Sequence, residues 1–199
     1  MKENYFDKVA STWDEMRSFL FSEEVRDIAL SVAGVKEGKT AVDVGAGTGF
    51  ITEGLVKKGL EVIAVDKSRA MLIEMKRKFR SFDVHYCIGD AEKLPILNNA
   101  IDYVFSNMCL HHVNSPQRAI REMTRILKPG GKLVITDLDK HNFEFMKEIH
   151  HDKWMGFRRE EIKKWFEEAG LKNVRVECTN KNCCVQPCGI SIFVAFGEK

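Results

Sequence analysis

Hydrophobic positions fall into two alternating rhythms along this 199-residue chain. Short apolar runs, most of them β-branched, at 40–44, 61–65, 83–88, 100–106 and 131–137 read as strands. Between them, apolar residues recur three and four apart, the spacing of a helix with one buried face. Phe50 to Lys58 lies within one such stretch, 49–58, and Gly59 stands where a helix C-terminus needs a left-handed residue. Ser68 caps a helix over 69–80 whose inner stripe is Met71, Leu72, Met75 and Phe79. Ser115-Pro116 opens another, with serine at the cap, proline at the first turn, and Ile120, Met123 and Leu127 inward. Strands separated by helices pair in parallel through right-handed crossovers.

The two ends of the chain depart from this alternation. Val9, Trp13, Met16, Phe19 and Leu20, then Val25, Ile28, Ala29 and Val32, predict one or two helices over 4–34. After Asp137, residues 139–157 are rich in His, Phe, Met and Trp without a strand signal, and read as an insertion over a site. Arg158 to Ala169 predicts an amphipathic helix (Ile162, Trp165, Phe166 and Ala169 inward) ended by Gly170. Runs at 173–178 and 190–196 have no helix between them, so they form a hairpin and the last strand runs antiparallel to the rest. The expectation is an α/β, Rossmann-like fold: a seven-stranded, mostly parallel sheet, helices on both faces, and an N-terminal helical cap over 1–36. One domain covers 1–199.

The candidate chemistry lies where strands end. Ala41-Val42-Asp43-Val44-Gly45-Ala46-Gly47-Thr48-Gly49-Phe50 is a strand, a glycine-rich turn and a helix start, a general nucleotide-binding device. About 20 residues further on, Glu61-Val62-Ile63-Ala64-Val65-Asp66 ends in an acid placed to accept from ribose hydroxyls. The glycine spacing, G-x-G-x-G with Asp43 two residues ahead, departs from the G-x-G-x-x-G dinucleotide fingerprint, so no pyrophosphate is implied. D-x-G-x-G-x-G resembles the first motif of the class I S-adenosylmethionine methyltransferases. Gly89-Asp90-Ala91-Glu92, Asp102-Tyr103-Val104-Phe105-Ser106-Asn107 and Leu127-Lys128-Pro129-Gly130-Gly131-Lys132-Leu133 resemble that family's later motifs in order and spacing. The likeness is strongest to the small-molecule branch holding the ubiquinone and menaquinone C-methyltransferases.

That resemblance implies S-adenosylmethionine as cofactor. Gly45, Ala46, Gly47 and Gly49 would line its methionine part, Asp66 with Lys67 its ribose, Asp90 with Ala91 its adenine, and Asn107 with Met108 its methyl end. Asp43 either holds the loop through backbone N–H groups or reaches the amino group through water. It also implies that the N-terminal helices fold over the cofactor; packing on the sheet edge is the alternative. Methyl transfer is an in-line displacement in which alignment matters most, and no metal is required.

On the acceptor side stand Tyr5, Trp13, Cys109 and Trp154, with Phe19, Phe143, Met146 and Met155 as further apolar lining. His111, His112 and His141 follow the fourth and fifth strands and are placed to act as a general base, or else to cap and pack helices. His150-His151 carries the same two readings. Cys178, Cys183, Cys184 and Cys188 follow a C-x4-C-C-x3-C spacing unlike a common zinc site. Soft thiolates suit a soft metal or a metalloid, so arsenite methylation is one alternative function and a non-catalytic S-adenosylmethionine-binding protein another.

Bulk properties narrow this. A net charge of +2 gives no nucleic-acid footprint, and Lys76-Arg77-Lys78 reads as a solvated helix face. No apolar run approaches the roughly 18–20 residues of a membrane span, and the first residues hold no apolar signal core. The expectation is a cytoplasmic protein with a small-molecule substrate, no stable membrane insertion and cysteines free of disulfides. Oligomeric state is not legible.

Overall fold

The computed structural model describes residues 5–144, 146–147, 151–183 and 189–199. Three helices come first: α1 (Tyr5–Val9), α2 (Trp13–Leu20) and α3 (Glu24–Ala33). The alternation then runs β1 (Thr40–Val44), α4 (Phe50–Lys57), β2 (Glu61–Asp66), α5 (Arg69–Lys78), β3 (Val84–Ile88) and β4 (Ile101–Asn107). It continues through a 3₁₀ turn (Leu110–His112), α6 (Pro116–Ile126), β5 (Leu127–Leu138), α7 (Arg159–Glu168), β6 (Lys172–Cys183) and β7 (Ile190–Glu198). These strands form one sheet in the order β3-β2-β1-β4-β5-β7-β6. β1 to β5 pair in parallel, and β7 runs antiparallel between β5 and β6.

Burial explains why the central strands read as unbroken apolar runs: both faces of the sheet are covered. Val42 and Val104 pack with Ile120, Met123 and Phe166, whereas their strand neighbours Ala41 and Phe105 pack with Val25, Leu30 and Leu55. Alternate residues point to opposite faces, so α6 and α7 lie on one face and α3 and α4 on the other. Leu72, Met75 and Phe79 of α5 pack on Ala64 and Val84. The chain leaves β1 toward β2 and β3, then returns to β4 on the other side of β1. The crevice above β1 and β4 is therefore a topological switch point, where open α/β sheets bind ligands.

Two strands run further than their sequence suggests. Leu127 is buried with Ile120 and Met123 as expected, but it starts β5 rather than ending α6, because it pairs with Ile101 before the ladder slips. β6 continues through polar Thr179 to Asn182, a stretch expected to be loop. Thr179 Oγ1 donates to Ile192 O at 2.8 Å, and pairing resumes at Asn182 and Cys183 after a register shift. Cys178 and Cys183 thus stand on a strand, while Cys184 and Cys188 lie outside the described residues.

Leu30 is the test of the α3 face, being 4% exposed. Leu30→Ala should cost about 2–5 kcal/mol, the range for emptying a buried leucine site. Urea unfolding checks this as a lowered midpoint at unchanged slope.

Candidate active site

A cavity of about 730 Å³ opens at the carboxyl ends of β1, β2 and β4, within the roughly 300–1,000 Å³ of small-molecule sites. Its floor is built on Asp66. One carboxylate oxygen accepts from Gly47 N and the other from Ser68 N, both at 2.8 Å. This one group fixes the glycine turn after β1 and the start of α5. Burial raises its pKa despite those bonds. Beside it, Asp43 accepts from Thr52 N at 3.0 Å and Thr52 Oγ1 at 2.8 Å, tying β1 to α4. Burial pushes Asp43 up to about 7.

The turn needs its glycines. Gly45 and Gly47 have φ of 69° and 54°, the left-handed region that other residues rarely adopt. A Cβ on Gly45 would strike Cys109 Sγ, whereas one on Gly47 would meet only Trp13 Nε1, at 3.6 Å. Gly45 therefore lets the turn after β4 close against β1, and Gly47 leaves its backbone open toward the cavity.

The roof is the N-terminal segment, held by hydroxyl–carboxylate bonds. Ser68 Oγ donates to Asp7 and Thr48 Oγ1 donates to Asp14, each at 2.6 Å. Lys78 Nζ reaches Asp14 at 2.7 Å and Thr48 O at 3.0 Å. Only part of the basic cluster at 76–78 is a solvated face, since Lys78 fastens the roof to the floor. Phe6 and Trp13 meet edge to face, and both line the cavity. Arg17 lies one turn beyond Trp13, its guanidinium carbon 4.5 Å from the Phe50 ring centre. Nη2 donates to Glu23, but Nε and Nη1 are buried without a hydrogen-bond partner among the described residues.

At the far end, Asp137 accepts from His111 Nδ1 at 2.6 Å and from the backbone of Leu110 and Leu138. Burial works against the His111 imidazolium, but Asp137 outweighs it and the pKa is raised. Asp152 stands 3.6 Å from His111 Nε2 and 3.7 Å from His112 Nδ1. His112 lines the main cavity and also a small one of about 30 Å³ against Tyr5, Phe6 and Asp152.

The sequence family described as "Methyltransferase domain" matches residues 42–135. The demethylmenaquinone methyltransferase of Renibacterium salmoninarum is 37% identical over 141 residues, 69% of this chain and 59% of that protein. The 2-methyl-6-phytyl-1,4-hydroquinone methyltransferase of Arabidopsis thaliana is 36% identical over 161 residues, covering 79% and 47%. The chain belongs to the class I methyltransferases. It spans about half the length of these curated relatives. Two solved structures share the fold. The methyltransferase complexed with the Trm112 activator of Haloferax volcanii has a TM-score of 0.83, at 22% identity over 100% of this chain and 99% of that one. An S-adenosylmethionine-dependent methyltransferase from Aquifex aeolicus has 0.74, at 24% identity over 98% and 99%.

In this chain the cavity brings together Asp43, Gly45, Ala46, Gly47, Asp66, Lys67, Asp90, Ala91, Asn107 and Met108, along with Tyr5, Trp13, Cys109 and His112. Lys67 Nζ bridges to Asp90 at 3.0 Å, and Asn107 Oδ1 accepts from Thr136 Oγ1 at 2.8 Å. Burial raises the Cys109 thiol, keeping it protonated. Gly49, His141 and Trp154 are not among the lining residues of either cavity. Trp154 Nε1 donates to Val113 O, and Phe19 is 68% exposed. Sequence reasoning passed over Arg17 and Asp152. Arg17 had one signal: with Trp13 and Phe21 it sits at four-residue spacing on an otherwise apolar face.

Asp43 yields a pH test. Its folded pKa, about 7, exceeds the carboxylate's ordinary 3.8. The folded chain keeps a proton that the unfolded chain has lost, so this group's contribution to stability falls as pH rises from about 4 through 7. Asp43→Asn removes the titration and should gain on the wild type by on the order of 2 kcal/mol between pH 5 and 8. Thermal melts of both proteins across that range measure the gain.

Proposed function

We propose that this protein transfers the methyl group of S-adenosylmethionine to a small hydroxylated aromatic acceptor of the hydroquinone type. The observation carrying this reading is that the glycine turn and Asp66 face the same cavity as Arg17, Phe6, Trp13 and His112. The residues present fit the cofactor. Arg17 lines the cavity with a buried Nη1 that has no hydrogen-bond partner among the described residues, a charged donor suited to a carboxylate. Gly47 leaves space where its Cβ would stand. Asp66 would take the ribose hydroxyls, Asp90 and Ala91 the adenine, and Arg17 the methionine carboxylate.

When bound, S-adenosylmethionine supplies an electrophilic methyl on a sulfonium and leaves as a neutral thioether. The chain's own residues align and shield. Phe6 and Trp13 of the roof stack an aromatic acceptor and exclude water, so the acceptor carbon approaches in line. The acceptor hydroxyl turns toward His112 and Asp152, which take its proton as electron density moves to the ring carbon; that carbon then loses its own proton to water and the oxygen takes its proton back, restoring the aromatic ring. The relatives named for demethylmenaquinone and 2-methyl-6-phytyl-1,4-hydroquinone support this acceptor class. Cys87, Cys109 and Cys178 are free thiols, as suits a reducing, cytoplasmic setting. Among the described residues, no helix is long and apolar enough to cross a membrane.

Among the described residues nothing favours arsenite as acceptor. Cys178 lines neither cavity, and the raised pKa of Cys109 keeps it a thiol rather than a thiolate.

The test is S-adenosylhomocysteine release over soluble demethylated hydroquinones, small amines, thiols and arsenite. Turnover with the hydroquinones is expected; cofactor binding without turnover on any of them would overturn the acceptor class. Asp66→Ala and Arg17→Met should each weaken S-adenosylmethionine binding by about 1–3 kcal/mol, the cost of lost charge-assisted hydrogen bonds. Calorimetry showing unchanged affinity would remove that residue from the cofactor site.

A further inference from the structure

Asp152 is the least explained group in the molecule. Its side chain is 0% exposed, and neither carboxylate oxygen has a hydrogen-bond partner among the described residues. Burying a carboxylate this way is costly unless something compensates it. The groups it faces are two imidazoles. His111 Nε2 lies 3.6 Å and His112 Nδ1 3.7 Å from the same oxygen, Oδ1. Those separations are too long for hydrogen bonds. They are close to the roughly 3.3–3.4 Å between neighbouring ligands on a tetrahedral ion with bonds of about 2.0–2.1 Å. Ligand atoms from all three residues lie within 4.8 Å of one another.

We propose that His111, His112 and Asp152 form a binding site for a divalent first-row cation such as Zn²⁺. Two imidazole nitrogens and one carboxylate oxygen are a donor set that such ions favour. The support behind the site fits as well. Asp137 accepts from His111 Nδ1 at 2.6 Å and is itself fixed by the N–H groups of Leu110 and Leu138. This leaves Nε2 as the ligating atom, in the carboxylate–histidine–metal arrangement that orients imidazole ligands. A fourth position also exists. The cavity of about 30 Å³ that these three residues line, with Tyr5, Phe6 and Met108 opposite, has room for one water or one hydroxyl oxygen. Its walls are shared with the main cavity through Tyr5, Phe6, Met108 and His112.

The site stands on these residues alone. Its role rests on the methyl-transfer reading: an acceptor hydroxyl in the fourth position is held as the oxyanion, its proton passing to water in the main cavity, because His112 and Asp152 are then occupied as ligands. A cation there acts as a Lewis acid on the acceptor rather than on the cofactor.

Zinc titration of the full chain, read by competition with a chromophoric chelator, tests this without turnover. The cysteines are a second sink for zinc, so the chain used has Cys178, Cys183, Cys184 and Cys188 replaced by serine. One equivalent should bind, and Asp152→Asn and His111→Gln should each lower the affinity at least tenfold. His85→Gln, a half-exposed histidine on β3, should leave it unchanged. X-ray absorption on the zinc-loaded, serine-substituted chain needs no site variant, and should give a first shell of nitrogen and oxygen with two imidazoles. Absence of tight binding, affinity indifferent to Asp152 and His111, or fewer than two imidazoles in the shell would overturn the site. Because S-adenosylhomocysteine release is measured separately, loss of the metal site leaves the methyl-transfer reading standing, and failure of turnover leaves the metal site standing.

Discussion

A single half-buried carboxylate organises the glycine-turn end of the cavity. Asp66 ends β2 and collects two backbone N–H groups, one from the turn after β1 and one from the start of α5. The turn after β1, 19 residues earlier in the chain, is thereby fixed to the end of β2 and the adjoining start of α5 around two oxygen atoms. Were Asp66 replaced by an apolar residue, both N–H groups would be buried without acceptors, and the turn would lose its reason to hold left-handed geometry. The glycines permit the turn, and the carboxylate selects it. Gly45 in turn allows Cys109 and the turn after β4 to close in from the other side, which brings the histidines to the cavity.

The rest of the architecture divides the labour between a rigid base and a fastened roof. The base is the sheet with helices packed on both faces, where the cores on opposite faces leave alternate strand residues fully buried. Positions at strand ends inherit that rigidity. The roof has almost no core of its own: α1 and α2 contain no buried residue within their helical spans. It is held instead by Asp7 and Asp14 on Ser68 and Thr48, with Lys78 across the top. The same serine hydroxyl also caps α5 by accepting from Met71 N. One residue therefore serves the helix below and the roof above.

Most of the fold was legible because strand and helix periodicities differ and the strands are buried on both faces. The seven strands, the antiparallel last pairing and the glycine turn followed from residue pattern. What escaped notice has physical reasons. β6 runs on through Thr179–Asn182 because its partner strand supplies acceptors such as Ile192 O, a tertiary effect that local polarity hides. Leu127 keeps the helical spacing of α6 and yet pairs with Ile101. Lys78 looks like one member of a solvated basic run until Asp14, 64 residues away, is folded over it. Asp152 carries no motif at all; it matters only because the turn containing His111 and His112 is brought against it. Around the glycine turn the legible residues are those whose role is backbone geometry, namely glycines and strand-end acids. Those that went unread, Arg17 and Asp152, depend on contacts between segments distant in sequence.

The fastening of the roof carries a kinetic consequence. A molecule seated on the glycine turn lies beneath Phe6 and Trp13, with the bonds of Asp7 and Asp14 closing the way out. Asp7 stands on α1 and Asp14 on α2, so the roof is pinned at two separate points. A ligand filling the cavity would leave only as those pins release, so the strength of two hydroxyl–carboxylate bonds, rather than the shape of the floor, would govern how quickly the cavity exchanges its contents.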